Sequence, residues 1–123
     1  MKNKFKLIIL VGGWIGLSEF IRNELLFKHL WIDKYSSLNL IFPSSMVNNM
    51  VWAIWSFVFA GLIMYLSKKL SFKSTIIVSW LFAFMMMWLV IGNMNVLPYK
   101  LLIFAVPLSL IEVAVATLIS KKA

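Results

Sequence analysis

Apolar runs alternate with short polar breaks along the whole chain. The runs are LIILVGGWIGLSEFI (7–21), MVNNMVWAIWSFVFAGLIMYL (46–66), TIIVSWLFAFMMMWLVIGNMNV (75–96) and LLIFAVPLSLIEVAVATLI (101–119). A helix needs about 20 apolar residues to cross the hydrocarbon layer of a bilayer, and the last three runs have that length. The first is short, but its helical beat continues. Leu26, Phe27, Leu30 and Trp31 recur at helical spacing, with Glu24, Lys28 and Asp33 on other faces. Glu24 and Lys28 form a favourable i,i+4 pair. The pattern predicts one helix from about Phe5 to about Lys34, leaving the membrane near Arg22. A basic start, a short apolar run and the small residues Gly16 and Ser18 also describe a signal peptide, but the beat running on past Ser18 favours the helix.

The breaks read as connections between antiparallel neighbours. SKKLSFKS (67–74) is a tight basic turn with Ser71 or Ser74 as a helix N-cap, and in GNMNVLPYK (92–100) Asn95 and Pro98 fit a cap and a first helical turn. The expected fold is all-α: a polytopic integral membrane protein forming a four-transmembrane-helix antiparallel bundle, with helix 1 extended outward. Residues 1–123 form one domain, with spans at about 5–21, 46–66, 75–96 and 99–119 and an outer amphipathic helix and loop over 22–45.

Composition agrees with lipid as the solvent. The chain is 63% hydrophobic and 13% charged, with a mean hydropathy of +0.95; soluble domains carry about 25% charged residues. The formal net charge of +8 is unevenly placed. Lys2, Lys4, Lys6, Lys68, Lys69, Lys73, Lys121 and Lys122 fall on one side of the expected bundle; the other side has Arg22, Lys28, Lys34 and Lys100, partly offset by Glu24 and Asp33. Basic residues collect on the cytoplasmic side, so both termini are expected there. Cysteine is absent, which excludes disulfides and thiolate chemistry.

Ionisable residues inside a span point to function by default. Glu112 lies in the fourth run, one turn from Ser109, and Pro107 withholds a hydrogen bond from the Ile103 carbonyl. Two readings stay open: a proton- or cation-binding carboxylate, or a structural hydrogen-bonding group. In the first run Gly12, Gly16, Glu19 and Asn23 share one helix face. Gly12 and Gly16 are small enough for another helix to approach closely, so Glu19 faces protein as well. Arg22 is its i,i+3 partner. At this level Glu19 is expected to lie too far out to touch Glu112. Asn23, Asn48, Asn49, Asn93 and Asn95 all fall near the outer boundary, where they serve either as glue between helices or as the wall of an outward polar pocket. Trp14, Trp55 and Trp88 lie deeper than an interfacial belt; they either pack between helices or offer faces to a flat or cationic ligand.

Other chemistry has thin support. The methionines of FMMMW face different directions, which suits packing better than copper binding. His29 and Asp33 are an i,i+4 pair on a solvated helix face, no glycine-rich phosphate loop is present, and the lysines are too dispersed for nucleic acid. No catalytic residue, metal site or cofactor is expected; the expected partners are the lipid bilayer and a second copy of the chain or another membrane protein.

Two families of small four-span proteins are matched in a few residues. Gly12, Gly13 and Glu19, with AIWS at 53–56, resemble small multidrug-resistance transporters, although the AIWS echo falls in the second span instead of the third and the outer loop is long. Gly12, Gly13, Arg22, Asn48 and Asn49 resemble fluoride channels; Phe82 and Phe84 stand in the third span, without that family's glycine- and threonine-rich break. Each resemblance implies transport, and neither assigns a family. The expected function is therefore a non-transporting membrane subunit or assembly protein. The alternative is a small proton-linked or cationic-solute transporter or channel using Glu112 and Glu19.

Overall fold

The computed structural model describes residues 2–122, with side chains from Lys4 to Lys122; the side chain of Lys2 lies outside that range. All the regular structure among these residues is helical. Helix α1 covers Lys2–Phe20 and runs into a π-helical turn, Ile21–Leu26, before α2 at Lys28–Ser37. Helix α3 is Met46–Lys69. Helix α4, Phe72–Trp80, passes through a second π-helical turn, Leu81–Met85, into α5, Met86–Asn93. A 3₁₀ turn, Tyr99–Leu101, leads into α6, Leu102–Lys122.

Three helices are long and apolar enough to cross a membrane: Met46–Lys69, Phe72–Asn93 and Tyr99–Lys122. Their apolar side chains point largely away from the protein, as with Val58, Phe82 and Ile103, which are about two-thirds or more exposed. Such a surface suits hydrocarbon and not water. Helix α6 packs against α1, α3 and α4, and α1 also packs along α3.

The single helix expected from Phe5 to Lys34 is broken. The π turn closes with Phe27 N–H donating to the Arg22 carbonyl at 3.0 Å, and Phe27 itself leaves helical geometry at φ −124°. The extra residue in this turn accompanies burial of Arg22 and Asn23 beside Glu19. The Phe27 ring then stacks on Phe104 of α6 at 4.9 Å, which holds the bend against the bundle.

Local capping explains the other ends. Ser45 and Asn48 form a capping box at the start of α3, and the Ser71 hydroxyl accepts from Ser74 N–H at the start of α4. The α5 end is closed by Asn95 at φ 65°, a left-handed conformation that asparagine tolerates. Lys121 Nζ donates to the Ser67 and Leu70 carbonyls, both at 2.7 Å, and so caps the C-terminal end of α3.

Candidate functional site

One face of α6 carries Ala105, Ser109, Glu112, Val113, Ala116, Thr117 and Ser120, all buried. Glu112 stands at its middle, ten residues, or about 15 Å, from either end of the helix. A carboxylate at that depth loses its hydration and needs partners. Its partner is Arg22, the single arginine of the chain, whose Nη1 donates to Glu112 Oε1 at 3.2 Å. Nη2 of the same guanidinium donates to Glu19 Oε2. Glu19, Arg22 and Glu112 are each at most 5% exposed.

The expectation that Glu19 and Glu112 stay apart therefore needs correction. Arg22 starts beyond α1, but its long side chain reaches back into the bundle, as helical side chains lean toward the N-terminus. Its planar fork serves two acceptors at once, which lysine's point charge does less well. The guanidinium also lies over the Phe84 ring, 5.5 Å from the centroid. Phe84 belongs to the second π turn and Arg22 to the first, so both irregular turns meet at this cluster. Single π turns inside helices recur at functional sites. Trp14 adds a further tie, its indole N–H donating to the Glu112 carbonyl at 2.9 Å. Glu112 Oε2 is buried and makes no hydrogen bond within the described residues. One guanidinium thus faces two carboxyl groups.

Glu19 also borders a cavity of about 730 Å³ at the end of the molecule that carries α2. Gly12, Gly16, Asn23, Asn48, Asn49 and Ser56 line it, together with Trp31, Tyr35, Phe42 and Trp52. Asn23 accepts from the Trp31 indole N–H at 3.2 Å, which fixes one wall. Asn48 is occupied with capping α3. The Gly12 position owes its glycine to α3: a Cβ there would come within 2.3 Å of the Phe57 ring, while at Gly16 the Ser56 side chain is an ordinary 3.7 Å away.

The remaining candidates lie elsewhere. Asn93, with Asn95 and Trp88, lines a separate hollow of about 610 Å³ between α5 and the start of α6, so the asparagines do not gather at one place. Ser109 accepts from the Trp80 indole N–H at 2.8 Å and donates to the Val106 carbonyl. Trp55 packs against Phe59 and meets Phe84 edge-on, while Trp88 meets Trp80 edge-on at 6.0 Å. Tyr35 and Phe42 were not among the sequence candidates. A signal for Arg22 as a bridge was available, because a lone arginine beside an intramembrane glutamate in a lysine-rich chain is a chemically specific choice. Nothing in the spacing told which carboxylates it would join. No family model, curated protein or solved structure matches the chain.

Proposed function

We propose that the chain is a small four-span integral membrane protein, both termini cytoplasmic, that carries a proton-linked or cationic solute. One observation supports this most: the buried Glu19–Arg22–Glu112 cluster borders a solute-sized cavity through Glu19. Glu19 is the member of the cluster that a proton or a cation in the cavity would reach. The α2 end faces outward in this reading and the lysine-rich ends of α3, α4 and α6 face the cytoplasm. Four spans enclose little space, so a complete pathway is expected to need a second copy of the chain.

Flux measurements in liposomes under an imposed pH gradient test the reading. Wild-type protein is expected to carry current or solute with a pH dependence, and Glu112→Gln to lose that dependence while remaining folded, because an amide cannot release a proton. Full pH-dependent flux in the folded Gln variant removes Glu112 from the carrier role. A reporter fused within 35–45 that reads as cytoplasmic refutes the orientation.

A second reading is a non-transporting subunit or assembly protein. It is favoured by Arg22 itself, which gives both glutamates a structural partner inside the chain. Absence of any flux from well-folded wild-type protein would decide for it.

A further inference from the structure

We propose that the hollow between α5 and the start of α6 holds an acyl chain of an anionic phospholipid, whose phosphate is held at the rim by Lys34 and Lys100. Such a site needs only that the helices span a bilayer, so it stands apart from the transport reading and from which side of the membrane α2 faces.

The shape of the hollow is the first support. It has a volume of about 610 Å³ and opens on the apolar surface of the bundle, where Met85 and Leu89 on its wall are exposed. From Trp80 to Asn93 it follows the Phe72–Asn93 helix for about 20 Å at 1.5 Å per residue. One leaflet with its polar interface is also about 20 Å thick, so the hollow has the depth of a single leaflet. Rings floor its deep part. Trp80 and Trp88 meet edge-on at 6.0 Å, and the Trp80 indole is fixed by its bond to Ser109. Leu102 and Val106, one turn apart on α6, form the facing wall.

Polarity changes along this length. The deep part is lined by indole and aliphatic groups. The shallow end carries Asn93, Asn95 and Tyr99, whose hydroxyl donates to the Gly92 carbonyl at 3.0 Å. No acidic side chain lines the hollow. Lys34 of α2 places its ammonium over the Tyr99 ring, 5.8 Å from the centroid, and Lys100 follows Tyr99 in the chain. Neither lysine takes part in an ion pair among the described residues. Two cations at the rim, amide groups just inside and an apolar floor below match the order of groups in a phospholipid: phosphate, ester and acyl chain. Basic pockets between membrane helices bind acidic headgroups in this way. A partner helix, apolar over the same depth, would leave both lysines without a counter-charge.

Tryptophan quenching in vesicles tests this. The full chain is reconstituted into dioleoylphosphatidylcholine vesicles in which a varied fraction of the lipid carries dibrominated chains, either as phosphatidylglycerol or as phosphatidylcholine. Bromine quenches indoles that the chain touches, so Trp80 and Trp88 report occupancy of the hollow. Lipid in random contact quenches equally with either headgroup. The fraction needed for half-maximal quenching is expected to be at least twofold lower for phosphatidylglycerol. Equal fractions for the two lipids overturn the proposal, and are the result if a second copy of the chain fills the hollow instead. This comparison needs no variant, so it decides even where a variant fails to fold.

Lysines at the opposite end of the bundle also attract anionic lipid, and variants separate the two ends. Lys34→Gln with Lys100→Gln is expected to remove the preference for phosphatidylglycerol, while Lys68→Gln with Lys69→Gln leaves it in place. Trp88→Phe is expected to lose most of the extra quenching, whereas Trp52→Phe, which alters the other cavity, keeps it. A preference that survives the loss of Lys34 and Lys100, or that disappears with Lys68 and Lys69, overturns the proposal. Extra quenching unchanged in folded Trp88→Phe overturns the placement of the lipid in this hollow.

Discussion

Two kinds of buried polar group lie in the bundle, and they solve the same problem differently. One kind is the hydroxyls. Thr75 donates to the Ser71 carbonyl, Thr117 to Val113 and Ser120 to Ala116, each at 2.8–2.9 Å within its own helix. The other kind is the charges, and Arg22 reaches Glu112 across 90 residues of sequence. A hydroxyl that bonds the carbonyl one turn back is satisfied by the helix alone. A buried carboxylate is satisfied only if the tertiary fold delivers a cation to it. The first kind would survive rearrangement of the bundle; the second depends on it.

The strongest way to break this contrast is Arg22→Met, which strands two carboxylates in the interior. Loss of about 3–5 kcal/mol is expected, read as a large drop in Tm in detergent. Adding Glu112→Gln should recover much of that loss, since one of the stranded charges is then gone; a single variant as stable as wild type would mean that the cluster does not hold α1 to α6.

Gly12→Ala comes next, because the close approach of α1 and α3 positions Arg22. The new methyl group collides with the Phe57 ring, and about 1–3 kcal/mol is expected from overpacking. Phe57 is partly exposed, so Phe57→Leu in the same chain should relieve the collision. Failure of that rescue in a thermal melt would place the clash elsewhere.

Within the hydroxyl region Ser109→Ala is the informative change. Ser109 is its exception, since it accepts from Trp80 on a neighbouring helix. Removing it orphans the indole N–H and is expected to cost about 1 kcal/mol. Thr117→Val sharpens the comparison from the other side: the Val113 carbonyl keeps its backbone partner, so a change under about 1 kcal/mol is expected. Equal losses for Ser109→Ala and Thr117→Val would erase the distinction between self-satisfied and fold-satisfied polar groups.

The helices and their apolar surfaces were legible in the sequence because both are local properties. Run length and hydropathy fix where α3, the Phe72–Asn93 helix and α6 lie, and Ser71 marks a helix start by a bond spanning three residues. The Glu19–Arg22 contact was equally legible, being one turn of helix. The bend at Phe27 was not: an amphipathic beat runs on through it, and only stacking on Phe104 and burial of Arg22 favour the π turn over a straight helix. The joining of Glu19 to Glu112 was hidden for the same reason, since axial position along α1 says where the Arg22 backbone sits and not how far its side chain reaches. Which asparagines share a cavity also depended on which helices are neighbours, and so Asn23 and Asn48 came together while Asn93 did not. Sequence determined what each segment must bury; the tertiary structure decided against whom, because desolvated charge is satisfied by whatever partner the packing brings within hydrogen-bonding distance.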